Sequence, residues 1–423
     1  MSSDLPSYDE AAALVAAYCA QFSPFRPLQE SVRLDLAAGR VLAKPLFADS
    51  DQPPFARSTR DGFACRAGEA SRHGYLRLAG TARAGDAPAG PLPKGAAWEI
   101  MTGAPIPAGA DAVMMLEHVE AVEGKVKLLP SRKLKQGDNI VAQGTQAMAG
   151  DLLLPAGTAI EFAQIALAAA CGSITLEAFV LPRVAIVATG DELVTVESSP
   201  AAGQIRNSNG PMLAAMVAAA GGEPWVLPAA GDNAEALDAT LAQATEADML
   251  LISGGVSAGK FDLVEPALAR AGARFHFTGV RIQPGKPLVF GEMPGGKARA
   301  IQNESGTKCF FGLPGNPVSS AVTFLLFAAP ALGALAGRLS YGPRFALARL
   351  TGKAGKLAKP GLTRFLPALC TFGASAGSPP EVAVVPMEGS GDLAALARSN
   401  CFLVVPEDAR TFEAGAIVRI LLS

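Results

Sequence analysis

The sequence has no Cys-x-x-Cys pair, and its six cysteines (Cys19, Cys65, Cys171, Cys309, Cys370 and Cys401) are scattered over 423 residues. It has only three histidines, none of them at metal-ligand spacing, so neither a zinc centre nor a disulfide framework is expected. The cysteines read as small buried hydrophobes in a reducing cytoplasm. Charge is also sparse: 17% of residues are charged and the net charge is −2. No basic tract is present to bind phosphate backbones, which excludes a nucleic-acid partner. The first residues, "MSSDLPSYDE", are acidic and lack the apolar centre of a secretory signal. Residues 309–337 contain no charge at all, which raises the question of a membrane span. "LPGNP" interrupts the start of that run and Pro330 its end, and its body is rich in Ala, Ser and Gly. A helix buried between a sheet and its neighbours is therefore expected, and no membrane partner.

Half of the residues are hydrophobic, and the length allows two to four domains with separate cores. Four textures follow one another. Residues 1–50 and 141–180 read as a helical linking domain, with a capping box from Ser7 to Glu10 and Ala-rich runs such as "AAALVAAYC" and "AIEFAQIALAAACG". Residues 51–140 read as a β-rich insert crowded with Gly and Pro, in which "VEAVEGKVKLL" alternates around a Glu-Gly turn like a hairpin. Residues 181–337 alternate buried strands with helices, the pattern of a doubly wound α/β domain that binds ligands at its strand C-termini. Residues 338–423 hold short alternating runs that suggest a small β-barrel or sandwich.

"LLISGGVSAGKFDL", residues 250–263, has the spacing of a P-loop, Gly254 followed by Gly259-Lys260. Position 261 is Phe, so the hydroxyl that would hold Mg²⁺ in an ATPase is missing. Thr189-Gly190-Asp191-Glu192, Gly254-Gly255-Val256-Ser257, "QPGKPL" and "LPGNP" are each weak signals, since turns and helix starts look the same. Together they place carboxylates (Glu192, Asp232, Asp262), Ser257, Lys286 and helix N-termini at the strand ends of one sheet. Glycine turns and helix N-termini hold phosphates, lysine neutralises them, and carboxylates hold Mg²⁺ between phosphate oxygens. That set favours binding and cleaving a phosphorylated small molecule.

The ordered motifs "RSTRDGFA" (57–64), "MTGAPIPAGADAVMMLE" (101–117), "VATGDEL" (187–193), "GQIRNSNG" (203–210), "SGGVSAGKFD" (253–262), "PGKP" (284–287) and "GLPGNPVSS" (312–320) resemble the MoeA family. This family, related to the E domain of gephyrin, comprises the molybdopterin molybdenumtransferases. The resemblance covers essentially the whole chain. It implies Mg²⁺-dependent insertion of molybdate into adenylylated molybdopterin with release of AMP, in a cytoplasmic, elongated homodimer. It also implies a donor protein that adenylylates the pterin, and a cleft shared between the α/β domain of one protomer and the insert of the other. Asp61 and Thr102 match insert motif residues, and Glu192 matches that of the α/β domain. Asp232, Asp262, Lys286, Pro314 and Pro317 match positions lining the same cleft. Asp61, Glu192 and Asp262 would be metal ligands. Thr189, Gly190, Asp191, Gly254, Gly255, Ser257, Pro314, Asn316 and Pro317 would bind the pterin nucleotide, which makes the P-loop spacing coincidental.

The sequence departs from the family pattern in several places. "NIVAQGTQ" (139–146) loses an arginine and two carboxylates. Gln283 stands where a lysine is usual, Pro367 where an arginine is usual, and Ala394 and Ala395 where hydroxyls are usual. Molybdate is a tetrahedral dianion that wants cations and hydroxyl donors, so a weakened oxyanion site is expected, with Arg364 or Lys359 as possible substitutes. Rival readings are a paralogue that binds pterin or protein partners without efficient insertion, then a CinA-type nucleotide hydrolase, which lacks the "TRDGFA" and "MTGAPIP" segments. A P-loop NTPase ranks last.

Overall fold

Ser7 opens the first helix, Tyr8–Ala20, with the capping box its sequence predicts. The Glu10 N–H donates to the Ser7 hydroxyl at 3.3 Å, and the Ser7 N–H donates to a Glu10 carboxylate oxygen at 2.7 Å. This computed structural model describes residues 5–21, 28–72, 74–85, 90–256, 263–295, 306–352, 361–372, 377, 379–408 and 412–423. The chain divides into two units. The first is Met1–Ala43, Gly157–Phe162 and Thr175–Ser423; the second is Lys44–Ala156 and Ala163–Ile174.

In the first unit, strands and helices alternate as β1 (Arg183–Ala188), α1 (Asn209–Ala219), β2 (Glu223–Val226), α2 (Ala234–Gln243), β3 (Met249–Ser253), α3 (Val264–Arg270), β4 (Arg274–Phe277), β5 (Val289–Pro294), β6 (Thr307–Leu313) and α4 (Pro317–Thr323). The sheet order is β2-β1-β3-β6-β5-β4. The first four of these run parallel, whereas β5 and β4 pair antiparallel at one edge. Alternate side chains of each strand point to opposite faces, and both faces are covered. Ile186, Leu251 and Phe311 share one core with Val15 and Tyr18 of the first helix, and Ala185, Leu250 and Phe310 share the other with Leu237, Leu241 and Leu268. A sheet buried on both sides explains why β3 is apolar at nearly every position.

Helix α4 continues through one π turn, Phe324–Ala328, into Ala329–Leu335. Pro330, which has no N–H to donate, follows the π turn. By length and composition Pro317–Leu335 could cross a membrane, but 78% of its apolar stretch is buried inside the fold. It is a core helix of this unit, as its interrupting prolines suggested. After it, β7 (Phe345–Leu350), β8 (Thr363–Thr371), β9 (Glu381–Val384), β10 (Cys401–Val405) and β11 (Ile417–Leu422) form a ring, β8-β9-β7-β11-β10, that closes back on β8. Closure makes this domain a barrel, and Leu350, Leu366, Val382, Leu403 and Ile420 fill it.

The second unit is built on a six-stranded sheet. In spatial order its strands are Ala112–Met115, Gly62–Cys65, Ala96–Ile100, Leu76–Ala82, Lys125–Leu128 and Val119–Val122. The last two are the expected hairpin, turning at Gly124 with φ +66°. Among the described residues, the stretches read as helical linkers hold two α-helices, Tyr8–Ala20 and Phe162–Ala170, a 3₁₀ turn at Leu34–Leu36, and short strands joined by turns. Gln29–Arg33 pairs antiparallel with Thr175–Phe179 in the first unit, and Leu46–Phe47 with Leu152–Leu154 in the second. These short strands take their partners from far along the chain, so no local periodicity announces them.

Candidate active site

Three parallel strands end side by side, and the residue after each turns the chain. β1 is followed by Thr189-Gly190, β3 by Gly254-Gly255, and β6 by Pro314-Gly315-Asn316. Main-chain bonds tie these ends together: Thr189 N–H donates to the Ser253 carbonyl at 2.9 Å and Gly254 N–H to the Leu313 carbonyl at 3.1 Å. Gly254 and Gly255 have φ of +100° and +61°, a region that side chains disfavour. A Cβ on Gly254 would lie 2.7 Å from the Thr189 carbonyl oxygen, and one on Gly255 2.7 Å from Val264. Only glycine fits at either position. Above these turns lies a cleft of about 740 Å³, within the ordinary range for small-molecule sites.

The floor of the cleft is polar and buried. Asn209, at the start of α1, donates through Nδ2 to the Ser253 hydroxyl at 2.8 Å and to the Gly315 carbonyl at 2.7 Å. Ser253 Oγ lies 3.4 Å from Ser320 Oγ, which in turn donates to the Pro314 carbonyl. Asn209, Ser253 and Ser320 are nearly inaccessible to solvent. Thr189 Oγ1 and Asn209 Oδ1 have no hydrogen-bond partner among the described residues. Both atoms are closed off from solvent beneath the turns, and buried polar atoms are normally satisfied.

Glu192 and Asp232 line the cleft. Asp191 and Asp232 hold one another: Asp232 N–H donates to Asp191 Oδ1 at 2.9 Å and Asp191 N–H to Asp232 Oδ2 at 3.4 Å. Gly190 leaves room for the Glu192 carboxylate to fold back over it, where a Cβ would collide. Pro314, Asn316 and Pro317 also line the cleft. Lys286 is exposed and does not belong to the lining, although its neighbour Pro287 does. Sequence reasoning missed Arg206 and Asn209, which do line it. Both sit in the quoted "GQIRNSNG" motif, and their side-chain types were the available signal. Ser257, Lys260 and Asp262 lie outside the described residues.

In the second unit, Thr102 donates to Asp61 Oδ1 twice, from its N–H at 2.7 Å and its hydroxyl at 2.9 Å. These two bonds, the main-chain one first, hold the Asp61 carboxyl below its ordinary pKa. The next residue, Gly62, opens the strand Gly62–Cys65, and a Cβ on it would run into the Met114 carbonyl of the neighbouring strand.

None of the departures from the family pattern, residues 139–146, Gln283, Pro367, Ala394 and Ala395, lines the described cleft. Gln283 stands opposite Arg364, where the two-residue strand Ile282–Gln283 pairs parallel with the start of β8, and Pro367 is buried in the barrel opposite Phe402. Ala394 and Ala395 lie in the helix Leu393–Ala397, capped by Asp392 through a 2.9 Å bond to the Ala395 N–H. From that segment it is Gly391 and Leu393 that reach the cleft.

A doubly wound layer whose strand ends enclose glycine turns and acidic side chains defines an α/β protein that binds a phosphorylated small molecule. Three family models match along the chain: "MoeA N-terminal region (domain I and II)" over residues 6–172, "Probable molybdopterin binding domain" over 185–334, and "MoeA C-terminal region (domain IV)" over 354–423. A molybdopterin molybdenumtransferase of Nostoc sp. is 33% identical over 93% of this chain and 88% of its own length. That of Bacillus subtilis is 34% identical over 93% and 89%. The solved molybdopterin biosynthesis MoeA protein of Pyrococcus horikoshii covers 99% of this chain and 100% of its own, with 29% identity and a TM-score of 0.77. The chain belongs to the MoeA family of molybdopterin molybdenumtransferases.

Proposed function

We propose that the chain inserts molybdenum into the pterin cofactor. It takes adenylylated molybdopterin and molybdate, breaks the phosphoanhydride, releases AMP and leaves molybdenum on the dithiolene sulfurs. The observation that carries this reading is the convergence of Gly190, Gly254 and Pro314, each after a parallel strand, on a cleft lined by Glu192 and Asp232. The glycine turns let main chain approach a phosphate where a side chain would block it.

Mg²⁺ fits this donor set. It binds through one or two carboxylates together with substrate phosphates rather than in an all-protein cage. Glu192 and Asp232 offer that, and among the described residues no group of three His, Cys, Asp or Glu comes together as a cage. When bound, Mg²⁺ would polarise the scissile anhydride and neutralise the departing AMP phosphate. Asp262, expected as a further ligand, lies outside the described residues. The Asn209–Ser253–Ser320 network holds the turns in place beneath the cleft.

The proposal extends to a cytoplasmic homodimer with composite sites. Asp61, kept ionised by Thr102, would then act on the ligand held by the Glu192 carboxylate of the other protomer. A donor protein would deliver the adenylylated pterin. Incubation with adenylylated molybdopterin, Mg²⁺ and molybdate tests the core of this reading, and molybdate-dependent release of AMP is expected. Tight pterin binding without such release would sink it in favour of a pterin-binding paralogue.

A further inference from the structure

Three ionisable side chains line the cleft among the described residues: Glu192, Asp232 and Arg206. The first two are acidic, and both substrates of the proposed reaction are anions. Two carboxylates facing a phosphoanhydride or a molybdate repel it unless positive charge is supplied, and the Mg²⁺ they would hold offsets their own charge rather than that of the free oxyanion oxygens. Lys286, the cation expected from the sequence, lies outside the lining, whereas Arg206, likewise exposed, lies within it. Arg206 is the described cation that remains.

The setting of Arg206 is that of a receptor. Its Nε donates to two main-chain carbonyls, Val196 and Ser198, each at 3.0 Å. Both terminal nitrogens have no hydrogen bond and no carboxylate partner among the described residues. The guanidinium is therefore gripped from behind with its fork unused, so little conformational freedom is lost when an anion arrives. The backbone also ties it to the acidic side of the cleft. Arg206 lies opposite Val194 in a short parallel pair, and the N–H of its neighbour Ile205 donates to the Glu192 carbonyl at 2.8 Å. One ribbon thus carries a carboxylate and a cation to the same cleft. A guanidinium stays charged at any physiological pH and matches two oxygens of a tetrahedral anion at once.

We propose that Arg206 is the oxyanion receptor of this cleft, binding a tetrahedral oxyanion through its terminal nitrogens. The inference rests on the insertase reading for the identity of that oxyanion, either a phosphate of the pterin nucleotide or molybdate itself. The full-length chain is compared with Arg206→Gln, which keeps a donor for the loop carbonyls without the charge, and with Arg206→Lys. Molybdate is titrated at saturating adenylylated molybdopterin, and the pterin nucleotide at saturating molybdate. In Arg206→Gln the half-saturating concentration of one of them should rise roughly 10- to 100-fold, the loss of a charge-assisted hydrogen bond. Arg206→Lys should recover part of this, because it keeps the charge but not the fork. Whichever substrate moves names the oxyanion. Unchanged half-saturation for both overturns the proposal, as does a loss confined to maximal rate or melting temperature, which a brace would give. If the wild-type chain releases no AMP, the insertase reading has failed, and calorimetry with inorganic pyrophosphate and with molybdate decides the receptor. Equal affinities of wild type and Arg206→Gln for both anions then overturn it.

Discussion

The Asn209 amide nitrogen stands 2.7 Å from the Gly315 carbonyl oxygen and joins the start of α1 to the loop after β6. The same nitrogen holds the Ser253 hydroxyl at the end of β3. One side chain therefore sets the spacing of three segments that border the cleft. Replacing it with a group of similar size and no donor deprives the buried Ser253 hydroxyl and the part-buried Gly315 carbonyl of that donor, at a combined cost of about 2–4 kcal/mol. Asn209→Leu should lower the stability of the α/β unit by roughly 2–4 kcal/mol. Urea unfolding followed through Trp225, with Trp98→Phe as background, isolates that unit, and an unchanged midpoint would contradict the network.

Gly254 and Gly315 make a matched pair for testing the glycine turn. A Cβ on Gly254 meets main-chain oxygen at 2.7 Å with φ +100°, whereas one on Gly315 meets its nearest neighbour at 3.5 Å, an ordinary contact. Gly254→Ala should weaken binding of the pterin nucleotide more than 10-fold, the loss of about one or two hydrogen bonds. Gly315→Ala should stay within a few-fold. Equal effects in a calorimetric titration would remove the steric argument.

If the sites are composite, Asp61→Asn and Glu192→Gln subunits are each inactive alone but complementary. Mixing them after reversible dissociation should restore part of the AMP release, because some dimers carry one intact cleft. Recovery of nothing, with subunit exchange confirmed by mass spectrometry, rules the shared cleft out.

Lys308 is buried, and its ammonium donates to the Ala244 carbonyl. Burial pushes its pKa down from 10.5 to about 8, with Asp248 opposing part of the shift. Between those values the unfolded chain holds a proton that the folded chain has released, so stability should rise with pH across this window. Below about 8 the lysine is charged in both states and the cost of burying that charge is fully present. Relative to Lys308→Met, the wild type should gain up to roughly 3 kcal/mol from pH 8 to 10.5. A stability difference that is flat over that range would show that the charge is not desolvated.

Lys260, outside the described residues, shares only the spacing of a P-loop lysine. Lys260→Ala should leave AMP release within a few-fold of wild type, and the wild type should show no ATP turnover. Robust ATP hydrolysis abolished by the substitution would restore the P-loop reading.

Much of the α/β layer was legible in the sequence because its signals are local. Ser7 and Glu10 meet within one helical turn, "MLLI" is apolar throughout because parallel strands are covered on both faces, and the Glu-Gly turn closes its own hairpin. Gly190, Gly254 and Pro314 could be placed at strand ends for the same reason, and the ordered motifs gave the family. Other features depend on partners that chain folding alone brings together. Residues 29–33 find 175–179, and β5 and β4 turn antiparallel where alternation suggested continued winding. Asn209 reaches Gly315, Arg206 is gripped by Val196 and Ser198, and the expected Lys286 is left outside the cleft. Sequence by itself determined which segments carry the chemistry, since turn geometry and periodicity act over a few residues. Tertiary structure decided which side chains line the cleft, because parallel pairing aligns strand ends that are far apart in the chain and leaves adjacent residues pointing in opposite directions.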